Sequence, residues 1–293
     1  MQSLIQTFFW LIARIPLPVL HVMGRGFGYL MYLGSAGMRI RIKENLHTSR
    51  AVEDYQNSGP KVKLVCQEIA KSALELPIAW TRSSEDIAAL FTSVDGWAHV
   101  EEAIQQEQGL LFITPHIGSY DLAGRYISHQ LPFPLTAMYR PPKLSWLEPV
   151  MNAGRVRDKG KTAPANAQGV RQVLRALRDK EATIILPDQV PNGGDGVWVP
   201  FFGKPAYTMT LAARLAEMKN VRTFFFVGER LPKGKGFKLH IRPLNTPLTQ
   251  DKVQDTVIIN QAVEALILEF PTQYLFSYNR YKVPAGAERP PAP

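Results

Sequence analysis

The chain has 293 residues, enough for one large domain, and its 45% hydrophobic and 20% charged residues are an ordinary globular balance. A formal charge of +9 points to an acidic partner: nucleic acid, an anionic membrane surface, a phosphorylated substrate or an acidic protein. The one cysteine, Cys66, excludes an intramolecular disulfide and a cysteine-built zinc site, and reads as a small buried residue of a helix.

Residues 1–38 are rich in Leu, Ile, Phe, Tyr and Met and contain no acid. Arg14, Pro16, Pro18 and Arg25 interrupt them, so no uncharged run reaches the ~18 residues of a simple span. No basic stretch precedes the apolar run, which separates it from a cleaved signal. The segment predicts a retained membrane anchor, either a kinked span or a helix lying in the interface. Arg39, Arg41 and Lys43 behind it favour the cytoplasmic leaflet. A buried amphipathic hairpin is the soluble alternative. Gly24, Gly26 and Gly28 lie inside this continuous stretch rather than between a strand and a helix, so they read as close helix packing and not as a dinucleotide loop.

Residues 44–82 read as helical, with Val62, Val65, Ile69 and Leu76 among the apolar positions, and 101–108 as a short polar helix. An alternation follows. Strands are expected at 110–114, 135–139, 182–186, 222–227 and 237–241, and helices after 116 and at 166–180, 207–219 and 251–270. Residues 273–278 form a last apolar run. This order predicts an α/β fold with a mainly parallel central sheet flanked by helices. The organisation is an anchor at 1–38, one domain at 39–283 and a disordered Pro- and Ala-rich tail at 284–293.

In open α/β sheets ligands bind beyond the carboxyl ends of the strands. His116 and Asp121, five positions apart, follow the 110–114 strand. An imidazole can take a hydroxyl proton near neutral pH, and a carboxylate on its other nitrogen would orient it. On the box alone, an ordinary polar histidine at a helix start stands level with that reading. Asp188 and Gln189 follow the 182–186 strand and lead into the apolar run Trp198 to Phe202, which suits a site for a polar head and a hydrocarbon tail. A turn or cap role for Asp188 is equally open, and Asp195 reads as a turn residue. Arg155, Arg157, Lys159 and Lys161 form a basic cluster, and Arg171, Arg175 and Arg178 share one helix face, either solvated or an anionic docking surface. No nucleophile elbow, phosphate-binding loop or zinc-protease motif occurs, and the other histidines lack metal-ligand spacing. Ser119, three residues from His116, makes a poor nucleophile.

Together these segments resemble one family, the bacterial lipid A biosynthesis (late) acyltransferases, within the broader lysophospholipid acyltransferase superfamily. The resemblance rests on the anchor followed by Arg39 to Leu46, the His116–Asp121 box, Tyr139-Arg140-Pro141 and the run Gly154 to Arg157. It continues through Leu186 to Gln189, Val199 to Gly203 with Thr208 and Thr210, and Pro271 to Lys282. It implies an α/β acyltransferase on the cytoplasmic face of the inner membrane. The acyl thioester donor would sit on acyl carrier protein, and the acceptor would be a hydroxyl of a lipid A precursor. His116 then becomes the base, Asp121 its partner and Arg155 the oxyanion or positioning residue. Arg140, Arg157, Asp188 and Gln189 are assigned to substrate binding. Membrane lipid is a further partner; no nucleic acid, cofactor or metal is expected. Three positions depart from the family: Asp121 stands where glutamate is common, and Phe276 and Tyr278 where Trp and His are frequent. The alternatives are a glycerolipid or other glycolipid acyltransferase, or a membrane-surface binding protein without activity.

Overall fold

The computed structural model describes residues 2–142, 144–192 and 194–290; residue 1 of the expected anchor and 291–293 of the expected tail lie outside them. Four N-terminal helices come first: α1 (Gln2–Ala13), α2 (Leu17–Gly34), α3 (Ala36–Thr48) and α4 (Gly59–Thr81). After α5 (Ser84–Ala88) the chain alternates: β1 (Phe91–Asp95), α6 (Trp97–Gln105), β2 (Gly109–Ile113), α7 (Tyr120–Gln130), β3 (Leu135–Tyr139), α8 (Glu148–Arg155), β4 (Gly160–Pro164), α9 (Ala167–Arg178) and β5 (Ala182–Ile185). The last third holds β6 (Gly196–Phe201), β7 (Lys204–Met209), α10 (Leu211–Ala216), β8 (Val221–Arg230), β9 (Phe237–Pro243) and α11 (Lys252–Glu269).

The main sheet has the order β1-β9-β8-β2-β5-β3-β4. Its five strands from β8 to β4 run parallel, while β9 pairs antiparallel with β8 and parallel with β1. The mainly parallel α/β sheet is therefore present, with a reversed two-strand edge. Central β2 and β5 are buried along their whole length, because helices cover both faces of a parallel sheet. One core cluster lies on each face: Leu111, Ile113, Phe225 and Ile185 with α4, α9 and α11, and Leu110, Phe112, Phe224 and Ile184 with α6 and α7.

The helix expected at 207–219 starts four residues later. Residues 204–209 instead form β7, paired with β6 in a separate hairpin. Phe202 and Gly203 turn it with positive φ at both positions, 50° and 75°, as a two-residue hairpin requires. The apolar stretch Trp198 to Phe202 is thus hairpin, with Val199 buried and Phe201 buried in the cluster that includes α11. In the tail, the Glu288 carbonyl accepts a hydrogen bond from the Trp198 indole at 3.0 Å.

The N-terminal segment is not one continuous helix. Among the described residues no helix is long and apolar enough to cross a membrane; α1 and α2 are bent by 110° around Pro16. One side of α2 packs along α4, and two of the glycines explain how closely. A Cβ at Gly24 would run into the Lys71 side chain and one at Gly28 into the Gln67 backbone, whereas one at Gly26 would meet nothing. Cys66 is buried in α4 beside this contact, and burial pushes its thiol pKa up. The same seam carries a buried ion network. Arg230 donates to Glu75 at 2.6 and 2.8 Å and to Glu68 at 2.8 Å, and His21 Nε2 lies 2.7 Å from Glu75. It ties α2, α4 and β8 together.

Candidate active site

Strands β2 and β5 pair with Ile113 opposite Ile185, and His116 and Asp188 each lie three residues beyond that pair. Parallel register alone therefore brings the two side chains together at the carboxyl edge of the sheet. His116 Nδ1 lies 2.8 Å from Asp188 Oδ1, and the His116 backbone N–H donates to Asp188 Oδ2 at 2.9 Å. One buried carboxylate thus grips both the ring and the main chain of the histidine. Burial alone would raise its pKa, but the imidazole charge, the two hydrogen bonds and nearby Arg280 together hold it below the usual carboxylate range. An ionised carboxylate only accepts, so Nδ1 carries the proton and Nε2 keeps its lone pair.

The loop carrying His116 is pinned from behind. Gly118 takes φ +56°, and its N–H donates to the Gln273 carbonyl at 3.0 Å. The Leu275 N–H donates to the His116 carbonyl, also at 3.0 Å, and the Ser119 N–H to the Gly228 carbonyl at 2.8 Å. A side chain at Gly118 would strike that same Gly228 carbonyl, so this turn needs glycine. The 273–278 run forms no strand; it serves as this clamp.

Asp121 does not meet the imidazole. It sits in the first turn of α7, where its Oδ1 accepts from Arg155 Nη2 at 2.7 Å and Nε at 3.2 Å. The expected His116–Asp121 pairing is thus corrected to two pairs, His116 with Asp188 and Asp121 with Arg155. A carboxylate one helical turn past the histidine points along α7, toward the end of α8, rather than back at the ring. Between the pairs, the Tyr120 ring packs edge-on to His116 with centroids 5.1 Å apart.

His116 and the Asp121–Arg155 pair border a cavity of about 890 Å³, with Asp188 buried behind the imidazole. Its lining includes the polar side chains of His116, Asp121, Arg155, Gln189 and Arg140, and Leu135, Ala137, Met151, Ile184 and Leu186 add apolar surface. Gln189 Nε2 lies 3.1 Å from His116 Nε2, so its amide donates to the lone pair that an incoming hydroxyl would use. Arg140 donates to the Val190 carbonyl at 3.3 Å. Arg157 lies elsewhere: it clamps the carbonyls of Thr81 and Arg82 at the end of α4, both at 2.8 Å, and does not line the cavity. The rest of the basic cluster is spread out: Lys159 donates to the Leu131 carbonyl, while Lys161 pairs with Glu181 and also lines the cavity. Trp198 to Phe202 do not line the cavity either, and Ser119 borders a separate small void. Among the described residues no three His, Cys, Asp or Glu side chains are placed to hold a metal ion.

Sequence reasoning missed two supports. The Val190 N–H donates to the Tyr278 hydroxyl at 3.0 Å. Buried Arg280 donates to the Tyr207 carbonyl at 2.8 Å and to Thr208 Oγ1 at 2.5 Å, and sets its charge toward Asp188. Both belong to a quoted motif, but only the folded chain carries residues 278–280 back to the site.

The model of the family described as bacterial lipid A biosynthesis acyltransferase matches residues 1–283. The chain belongs to that family. Among characterised relatives, the lipid A biosynthesis lauroyltransferase of Escherichia coli K12 is 27% identical over 93% of this chain and 88% of its own length. A lipid A biosynthesis acyltransferase of Haemophilus influenzae is 26% identical over 96% and 92%, and the E. coli palmitoleoyltransferase 24% over 94% and 90%. As a lipid A acyltransferase family member, the chain is an enzyme that transfers acyl groups. A cavity lined by both charged and hydrocarbon side chains suits such an amphiphilic substrate.

Proposed function

We propose that this enzyme moves a fatty acyl chain from an acyl thioester, carried by acyl carrier protein, to a hydroxyl of a lipid A precursor. The observation that supports this best is the oriented imidazole: Nδ1 is held by buried Asp188, and Nε2 faces a part-apolar cavity. An acceptor hydroxyl replaces Gln189 at Nε2. The imidazole takes its proton as the oxygen attacks the thioester carbonyl, and a C–O bond forms. The negative charge collects on the carbonyl oxygen. Arg155 would stabilise it, since Asp121 holds Nε and Nη2 and leaves Nη1 without a hydrogen bond to a described residue. Collapse breaks the C–S bond, and the thiolate leaves with the proton from the imidazolium. No covalent enzyme intermediate and no cofactor enter these steps.

The same reading puts the enzyme at the cytoplasmic face of the inner membrane. The first acidic residue of the chain is Glu44, while Phe8, Leu11, Val19, Val22, Leu30 and Leu33 of α1 and α2 are exposed. Such a face favours burial in an anionic interface, with the bent pair lying in the leaflet rather than crossing it.

Mass spectrometry of lipid A from cells lacking or overexpressing the protein tests the function. The expected result is a mass change of one acyl chain. A change confined to phospholipids would replace this reading with a glycerolipid acyltransferase, and no lipid change at all would remove the activity.

A further inference from the structure

The segment between β3 and α8 forms a rim of the cavity, since Arg140 before it and Met151 after it both line the wall. Leu144 and Trp146 on this rim are nevertheless exposed, at 53% and 41%. Two large apolar side chains turned outward beside a substrate cavity need a partner more than scattered surface leucines do. Their backs are anchored: Leu147, Val150 and Met151 belong to the same apolar cluster as Phe9, Ile12 and Ala13 of α1. Helix α8 and helix α1 meet at one residue of α4. Gly154 lies against the Trp80 backbone, and the Phe9 ring packs 5.8 Å from the Trp80 ring. Hydrogen bonds from the Tyr139 hydroxyl to Glu148 at 3.0 Å and from Asn152 to the same hydroxyl at 3.3 Å fix the start of α8. The rim is therefore held beside α1, whose Phe8, Trp10 and Leu11 are also exposed, with Arg14 over the Trp10 ring at 3.8 Å.

We infer that Leu144 and Trp146 form a second membrane-inserting element, which with α1 and α2 docks the cavity rim onto an anionic phospholipid leaflet. The occupant is a lipid surface because α1 and α2 are apolar and basic without one acid, a pattern complementary to anionic lipid. A tryptophan at this place also suits the headgroup level, where its apolar ring and polar N–H are both satisfied. The mouth of the cavity then opens at the leaflet, and an amphiphilic acceptor reaches His116 without its chains crossing water. The inference deepens the proposed function and rests on its membrane-borne acceptor.

The test uses the full chain with Cys66→Ala, labelled with an environment-sensitive fluorophore at Leu144→Cys or, separately, at Leu30→Cys in α2. Vesicles of phosphatidylethanolamine and phosphatidylglycerol, with and without nitroxide-labelled acyl chains, are added. The expected result is a blue shift and nitroxide quenching at both positions. Quenching at 30 with none at 144 would overturn the second element while leaving the membrane anchor intact; no quenching at either would overturn the membrane reading itself. A second arm measures acyl transfer by Leu144→Glu with Trp146→Glu. The rate on vesicle-borne acceptor should fall by about ten-fold, the scale of losing one large apolar transfer, while the rate on detergent-dispersed acceptor stays at the parent level. An equal fall in both, or a fall in neither, would overturn the inference. If the parent chain transferred no acyl group to any lipid acceptor, the function would fail, and the fluorescence arm would still decide the insertion.

Discussion

His116 carries its proton on Nδ1 because Asp188, buried and ionised, can only accept there. His116→Ala should lower acyl transfer by at least ~100-fold, the usual scale of a lost general base, with circular dichroism and membrane binding unchanged. Asp188→Asn should cost a comparable factor for a different reason: an amide can donate to Nδ1 and favour the tautomer whose Nε2 is already protonated. It should also displace the acidic limb of the pH–rate profile. Asp121→Asn should leave that limb where it is and behave like Arg155→Ala, each lowering the rate at saturating donor by on the order of 100-fold, as loss of an oxyanion donor does. A displaced limb in Asp121→Asn, with none in Asp188→Asn, would restore the direct His116–Asp121 pairing. The sequence named His116, Asp121, Asp188 and Arg155 alike, but nothing in their spacing said which carboxylate meets the ring. Asp121 is nearer in sequence, whereas Asp188 is nearer in space because two parallel strands end side by side.

At the scale of elements, α2 shows how an apolar segment can expose one face and still be part of the fold. Its glycine face is closed against α4, so Gly28→Ala should wedge the helices apart and cost roughly 1–3 kcal/mol, the scale of overpacking. Gly26→Ala, with open space around it, should stabilise by about 0.5–1 kcal/mol through helix propensity. Thermal unfolding of the two variants checks both, and equal effects would refute the packing account. The ion network on the same seam makes the contact pH-dependent. Burial would raise the pKa of Glu75, but the charge and hydrogen bonds of Arg230, with those of His21, bring it down to about 2. A carboxylate depressed in the folded state contributes its stability above its unfolded value near 4.5, and loses it as pH falls from there toward 2. The Tm of the parent should therefore drop steeply over that window. Glu75→Gln should start lower, because buried Arg230 loses one of its two carboxylate partners and keeps only Glu68, at a cost of up to about 3–5 kcal/mol, and should lose less on acidification. An equally steep acid limb in the variant would show that other carboxylates carry it.

For the whole molecule, the charge of +9 is divided among separate tasks. Arg155 is committed to the site and Arg157 to the end of α4, whereas Arg171, Arg175 and Arg178 project from α9 into solvent. Reversing those three to glutamate should raise the KM for acylated carrier protein and leave the rate at saturation near the parent value. The parent itself should show a steep ionic-strength dependence of the same KM. Steady-state kinetics with acyl carrier protein and with acyl-coenzyme A separate the outcomes. An unchanged donor KM at low salt would return the helix to an ordinary solvated face.

The alternation of strands and helices was legible in the sequence because periodicity and the turn residues between runs are local properties. The strand-end positions of His116 and Asp188 followed from it, since a motif just past an apolar run must sit at the edge of the sheet. Other features depended on contacts between distant segments. Residues 207–209 extend as a strand because β6 supplies backbone partners that no local preference reveals. Arg157 leaves the site because α4 presents unpaired carbonyls to it. The carboxyl-terminal run becomes a clamp on the His116 loop through bonds spanning more than 150 residues. Local chemistry decided which residues are candidates for acyl transfer; the register of two parallel strands decided which of them are partners, because pairing needs a shared place in space rather than a short distance along the chain.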